Sequence, residues 1–275
     1  MSAPAPRFGL VIVGDEILSG KREDKHFATV IRLLAQRGLA LSWARYAGDD
    51  RDGLTALYRD TFASGDVVIS CGGIGSTPDD HTRQAAAAAL GLRVVLHPEA
   101  EVLIAQRCAD MAREGKGSAD MSHPENRQRL KMGEFPAGAR IIPNPFNRIP
   151  GFSIRDHWFV PGFPVMAWPM IEWVLDTHYA AHFHRHIVVE RAMLVFETPE
   201  SALVPLMESI EREFVGIKAF SLPSIGDGRD GRPARRHVEL GVKGDQALVE
   251  PAFDALLQGI RSLGAPFEAL AAPPA

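Results

Sequence analysis

The amino-acid sequence predicts an α/β protein: a mostly parallel sheet with helices on both faces, followed by a small α+β domain. Three observations support this. Short β-branched runs alternate with helical patterns through the first half of the chain, the order that parallel strands joined by crossover helices require. A glycine-rich segment, Gly72–Gly75, follows one such run and precedes a helix, which is the carboxyl edge where open sheets keep their ligands. Beyond residue 187 the order becomes strand, helix, strand, strand, helix, which suits an antiparallel sheet.

Each element has a local reason. Phe8–Val13 is an apolar run that reads as a buried strand, and Asp24–Arg37 is an amphipathic helix stopped by Gly38. Leu41–Ala47 reads as a strand, Arg51–Ala63 as a helix and Asp66–Ser70 as the strand entering the glycine loop. Asp80–Leu90 is an alanine-rich helix ended by Gly91; Arg93–Leu96 is a short strand and Pro98–Glu114 a longer helix. From Gly115 to Pro164 the pattern loosens into loops, with short apolar pieces at Ala139–Ile142 and His157–Val160. Pro164–His178 reads as a helix with proline in its first turn, and the His-rich stretch His178–His186 as a linker. The expected domains are therefore 1–178 and 187–268. The second contains strand Ile187–Phe196, helix Pro199–Phe214, strands Val215–Phe220 and His237–Val242, and helix Gln246–Leu263. The tail Ala269–Ala275 is expected to fray.

Composition removes several function classes. With 46% apolar and 23% charged residues in 275, intrinsic disorder is excluded as the main state. A net charge of −4 and a pI near 6.2 provide no general attraction to nucleic acid or anionic lipid. The apolar run Phe8–Val13 is too short for a membrane span or signal segment and meets Asp15 and Glu16 at once. Cys71 and Cys108 fit no zinc or CxxC spacing, so a cytoplasmic protein with reduced thiols is expected.

The chemistry concentrates in two loops. In Gly72-Gly73-Ile74-Gly75-Ser76-Thr77-Pro78-Asp79-Asp80, three glycines let backbone amides approach an oxyanion, and the following helix N-terminus favours phosphate. The simpler alternative is a tight turn with Asp79 or Asp80 capping the helix. Two adjacent acids beside a phosphate loop suggest instead a bridging divalent cation such as magnesium, held by Asp79 and Asp80. The other loop, after the first strand, carries Asp15, Glu16, Ser19, Gly20, Lys21 and Asp24. If it faces the glycine loop, Ser19 and Gly20 could bind phosphate while Asp15, Asp24 and Asp80 hold a cation or polarise a transferred group. Ordinary turn and cap chemistry is the alternative for Ser19 and Asp24. Gly14–Arg22 is not a Walker A loop, because its glycine spacing is one residue too long and Arg22 replaces the hydroxyl. A dinucleotide fingerprint is also rejected, since Pro78 stands where its third glycine belongs.

Together, Val13-Gly14-Asp15-Glu16-Ile17-Leu18, the glycine loop, Asn144-Pro145 and Pro150-Gly151 resemble the molybdopterin-binding domain family (MoaB/Mog-like), nearest its CinA-type branch (competence/damage-inducible protein A). That branch is similar in turn to the N-terminal domain of eukaryotic FAD synthases. Glu125-Asn126-Arg127-Gln128, Pro136-Ala137-Gly138-Ala139 and Pro161-Gly162-Phe163-Pro164 match in the same order, so the resemblance covers about residues 7–176. It implies a three-layer α/β/α domain, a dimer or trimer, and molybdopterin or its adenylylated form as ligand, with magnesium in some members. It implies Asp24 and Asp80 as functional acids, and Ser19, Gly20, Gly72, Gly73, Gly75 and Thr82 as the lining of a pterin-phosphate pocket. Ser76, Thr77, Asn144 and Pro145 complete the ligand-binding set read from the motifs. The remainder resembles the small KH-type domain of the same branch.

Departures bear on the expectation. Asp24-Lys25-His26 stands where the CinA pattern has Asn-Thr-Asn, and Val165-Met166-Ala167 replaces a Glu-Met pair. Ending near the small domain, the chain is expected to lack the amidohydrolase domain, and nicotinamide mononucleotide deamidase activity is not assigned. His178, His182, His184 and His186 have no companion ligands and read as a solvated linker. Arg229, Arg232, Arg235 and Arg236 lie in a Gly-rich loop without aromatic neighbours and read as surface, so no nucleic-acid partner is expected. Trp158, Trp168 and Trp173 read as packing, and His26, His81 and His123 lie near the pocket loops, His81 being the strongest ligand candidate. Two functions stay open: a protein that binds a phosphorylated pterin or nucleotide in molybdenum cofactor biosynthesis, and a metal-dependent pyrophosphatase acting on ADP-ribose or FAD.

Overall fold

A computed structural model describes residues 6–185, 188–228 and 234–271. The chain divides into two compact units, Met1–Phe183 and His184–Ala275.

The first unit begins with β1 (Phe8–Val13), a one-turn α1 (Asp15–Leu18), α2 (His26–Ala35), β2 (Leu41–Ala47), α3 (Arg51–Ser64) and β3 (Val67–Cys71). It continues with α4 (Thr82–Ala89), β4 (Val94–Leu96), α5 (Pro98–Arg113), α6 (Pro124–Leu130), β5 (Glu134–Pro136), β6 (Arg140–Ile142), β7 (Gly151–Ile154), β8 (His157–Val160) and α7 (Pro164–Val174). Six strands form one sheet in the order β2-β1-β3-β8-β7-β6. Its first four strands are parallel, and β7 and β6 add as antiparallel neighbours.

Side-chain alternation along β1 explains the layers. Phe8, Leu10 and Ile12 face one way and pack with Leu33 and Leu34 of α2 and Met170 and Ile171 of α7. Val11 and Val13 face the other way and pack with Leu54 and Tyr58 of α3 and Ala85 and Ala86 of α4. A strand buried on both faces shows no polar alternation, which is why β1 and β3 read as continuous apolar runs. The expected three-layer architecture is present. The chain leaves β1 for β2 on one side and returns past it to β3 on the other, so a crevice opens where β1 and β3 end.

Several expectations need adjustment. The helix expected from Asp24 begins at His26, and the one expected from Asp80 begins at Thr82. The stretch 115–163, expected mainly as loops, also contains α6, β5 and β7, whose three to seven residues are too few to show a period. The expected strand near Arg93–Leu96 pairs antiparallel with β5 in a separate two-stranded sheet. The His-rich stretch is helical at its start: a π-helical turn, Leu175–Tyr179, and a 3-10 turn, Ala180–His182, extend α7. There the His178 ring packs at 4.5 Å from Trp158, while His186 lies outside the described residues.

The second unit contains β9 (Val188–Phe196), α8 (Glu200–Glu213), β10 (Lys218–Ser224), β11 (His237–Asp245), α9 (Gln246–Ser262) and β12 (Phe267–Ala269). Its antiparallel sheet has the order β10-β11-β9-β12. That is a split β-α-β arrangement in which the two helices are never consecutive. A KH-type GXXG loop therefore has no helix pair to join it, which refines the KH-type expectation. Ala269, expected in a frayed tail, lies in β12; Ala272, Arg229 and Arg232 fall outside the described residues.

Candidate functional site

A cavity of about 370 Å³ lies at the carboxyl ends of β1, β3 and β8. Its lining includes Gly14 and Glu16 after β1, Asp49 after β2, the glycine loop after β3, and Pro161–Phe163 after β8.

The geometry of the glycine loop follows from where its carbonyls are tied. The Thr82 hydroxyl donates to the Gly72 carbonyl at 3.0 Å, and the Thr82 N–H to the Gly73 carbonyl at 3.0 Å. The Arg83 guanidinium donates to the Gly75 carbonyl. In a trans peptide the C=O and the following N–H point in opposite directions. Anchoring those three carbonyls toward α4 therefore turns the N–H groups of Gly73, Ile74 and Ser76 away from it. These three residues line the cavity, and among the described residues their N–H groups have no acceptor. Backbone N–H groups presented in this way are donors of the kind that suit an anion.

Asp80 closes the other side of the loop. One carboxylate oxygen accepts from the Gly75 N–H at 2.9 Å; the other accepts from the Thr77 N–H at 2.8 Å and from the Thr77 hydroxyl. A Cβ on Gly75 would stand 2.5 Å from that carboxylate, so only glycine admits the clip. Gly72 is constrained more strongly still: its φ is +108°, and a Cβ there would meet the Val13 carbonyl at 2.3 Å. Neither Asp79 nor Asp80 caps α4. The cap position is His81, which makes no side-chain cap bond.

Arg83 is 3% exposed, and its Nε and one terminal nitrogen have no partner. Burial pulls the guanidinium below its ordinary range, opposed by Asp80 and Glu134. Around the mouth, the Asp15 N–H donates to Asp49 at 2.8 Å and the Asp49 N–H to Asp15 at 3.2 Å, clasping two loops together. Burial, with Asp15, Glu16 and Asp79 nearby, raises the Asp49 carboxyl above its usual range. The exposed Asp79 is held below that range by the Thr77 hydroxyl, its own backbone N–H and His81.

The residues expected in the site divide into two groups. Gly72, Gly73, Gly75, Ser76, Thr77, Asp79, Asp80 and Asn144 line this cavity. Asn144 also holds its loop together, donating to Asn147 and to the Ile149 carbonyl and accepting from the Phe146 N–H. Asp15, Ser19, Gly20, Asp24, Thr82 and Pro145 are not part of the lining. Asp24 accepts from the N–H groups of His26 and Phe27 and from the Tyr46 hydroxyl, so it performs the cap chemistry that was its simpler alternative. Ser19 and Gly20 form the end of α1. Thr82 is fully buried behind the loop it ties. His26 lines an adjoining cavity with Cys71, whose thiol burial pushes up. Glu16, Arg22, Asp49, Arg83, Met132, Asn147, Phe163 and Met166 were not anticipated. Asp49 could have been: it follows a strand at the same sheet edge.

Hard oxygen donors suit magnesium, which commonly takes one or two carboxylates with phosphate oxygens and water. Among the described residues no three His, Cys, Asp or Glu side chains are grouped to hold an ion by themselves. The donor set therefore fits a cation arriving with a phosphate rather than a resident one.

Residues 9–180 match the family described as "Probable molybdopterin binding domain". The chain belongs to the molybdopterin-binding domain family. A CinA-like protein of Anaeromyxobacter sp. (strain Fw109-5) is 31% identical over 261 residues, 88% of this chain and 60% of that protein. A CinA-like protein of Syntrophotalea carbinolica is 31% identical over 216 residues, 74% of this chain and 50% of that one. The crystal structure of CinA from Thermoplasma acidophilum, titled as a protein of unknown function, superposes with a TM-score of 0.53 at 26% identity, over 63% of this chain and 98% of that one. The chain thus spans half to three-fifths of the length of these curated CinA-like relatives. Among the described residues of this molybdopterin-binding family member, no helix is long and apolar enough to cross a membrane.

Proposed function

We propose that the chain binds a phosphorylated pterin, molybdopterin or its adenylylated form, and takes part in molybdenum cofactor biosynthesis. Its phosphate rests on the amides of Gly73, Ile74 and Ser76. The observation that carries this is the set of three N–H groups without acceptors, lining a cavity at the sheet edge of a molybdopterin-binding family member. Asp79, with Asp80 beside it, would supply one or two of the oxygens around a magnesium ion carried in by that phosphate, which would neutralise its charge. Asp24, Ser19 and Asp15 support the neighbouring loop. Isothermal titration with inorganic pyrophosphate and with molybdopterin, in EDTA and in magnesium, tests this. Micromolar binding of both is expected, and absence of pyrophosphate binding in either condition refutes it. The same reading places the protein in the cytoplasm as a homo-oligomer, a dimer or trimer, which light scattering checks.

A second reading is favoured by the acids at the cavity mouth: Glu16, Asp49 and Asp79 line it, and Asp15 clasps Asp49. Such a cluster around a pyrophosphate could position a metal ion for hydrolysis of ADP-ribose or FAD. Water would add to one phosphorus as the bridging P–O bond breaks, releasing AMP and a second phosphate ester. AMP release with Mg²⁺, Mn²⁺ or Co²⁺ that disappears in Asp49→Asn supports it.

A further inference from the structure

The anion cradle takes up only one wall of the cavity. The rest of the lining includes the apolar side chains of Met132, Ile149, Phe163 and Met166. Phe163 is 57% exposed, the most exposed aromatic in the cavity lining. Its backbone is nonetheless fixed: as the cap residue of α7, its carbonyl accepts from the N–H groups of Met166 at 3.0 Å and Ala167 at 2.8 Å, and Pro164 follows. The adjacent Gly162 packs against the glycine loop, with its Cβ direction 3.5 Å from the Gly72 Cα. The ring therefore sits beside the cradle on a rigid turn. Met166 is fixed too, since the Asn147 amide donates to its sulfur at 3.3 Å.

The two asparagines beside this wall are tied to their own loop. Asn147 Oδ1 accepts from the Ile149 N–H and from Asn144, and the Asn144 oxygen accepts from the Phe146 N–H. A ligand meeting this wall finds an aromatic face and thioethers, beside two asparagines that are bonded to their own loop. Such a surface recognises a flat π-system by stacking and accepts different heterocycles alike.

We infer that Phe163 is the stacking platform for the ring of the ligand, the residue through which the site favours ring-bearing phosphates over phosphates without a ring. This rests on the phosphorylated-pterin reading above and names the residue that holds its ring. Stacking of one base on an aromatic side chain corresponds to about tenfold or more in affinity.

The test uses the whole chain and four probes: pyrophosphate, ribose 5-phosphate, ADP and 6-hydroxymethylpterin diphosphate, each titrated against wild type, Phe163→Ala and Phe163→Tyr. In wild type the two ring-bearing diphosphates should bind about tenfold or more tightly than pyrophosphate, and ribose 5-phosphate should gain nothing from its sugar. Phe163→Ala should remove the ring advantage and leave pyrophosphate within twofold, while Phe163→Tyr keeps it; pterin fluorescence should be quenched in wild type and Phe163→Tyr alone. Because Phe163 is mostly exposed, the melting temperature of each variant should match wild type, and loss of pyrophosphate binding in Phe163→Ala would overturn the assignment. A ring advantage that survives Phe163→Ala also overturns it. If pyrophosphate binds and rings add nothing, this inference fails and the cradle stands; if no probe binds, both fail.

Discussion

Asp80→Asn separates two roles that a site carboxylate can play. In the structure both Asp80 oxygens accept backbone N–H groups, Gly75 at 2.9 Å and Thr77 at 2.8 Å, with the Thr77 hydroxyl added to the second. Asparagine offers one oxygen, so whichever way the amide turns, one N–H faces an NH₂ group. The loss is one charge-assisted bond in a half-buried loop plus a facing pair of donors, about 2 kcal/mol together. For a unit of this size that lowers the melting temperature by about 4–8 °C. The loop then no longer holds the Gly73, Ile74 and Ser76 amides in register. Pyrophosphate affinity should therefore fall about tenfold even in EDTA, as titration calorimetry would read. Unchanged melting and unchanged metal-free affinity, with loss confined to magnesium-containing buffer, would refute the clip and make Asp80 purely a metal ligand.

Other outcomes follow from the same geometry. Arg83→Met removes a buried guanidinium with two unpaired nitrogens, so thermal stability should stay level or rise, while the released Gly75 carbonyl weakens pyrophosphate binding several-fold in the same titration. Gly72→Ala combines a φ of +108° with a Cβ 2.3 Å from the Val13 carbonyl, and urea unfolding should show a loss of at least about 3 kcal/mol. His157 is buried against Thr61, and burial brings its pKa down to about 3 from 6.5. The unfolded chain therefore binds the extra proton first. Stability from this group is complete above about pH 6.5 and declines as pH falls toward 3, at up to about 1.4 kcal/mol per pH unit. Urea midpoints measured from pH 7 to 4 should follow that slope in wild type and flatten in His157→Gln.

Long apolar or periodic stretches were legible in the sequence, and short, tertiary-dependent ones were not. β1 and β2 begin and end where their runs do; β1, buried on both faces, needs no polar alternation, whereas β2 is the half-exposed edge strand. β7, four residues between a proline-glycine pair and a turn, owes its existence to pairing with β6 and β8. The glycine loop was readable because close backbone approach restricts residue type. Asp24 matched the pattern of a functional acid, and its carboxylate accepts from the N–H groups of His26 and Phe27 at the start of α2, a local use that sequence cannot distinguish from ligand binding. Phe163 carried no signal beyond its motif, since its value depends on what faces it across a cavity.

The two ends of the cavity differ in how freely they can vary. The anion end is assembled where β1 and β3 terminate, strands locked between helical layers on either side. The apolar side draws Met132 from a 3-10 turn, Lys131–Gly133, and Ile149 from the loop between β6 and β7. A different segment at those two places would reshape the apolar side of the cavity and leave the glycine loop as it is, a division of labour suited to diversification.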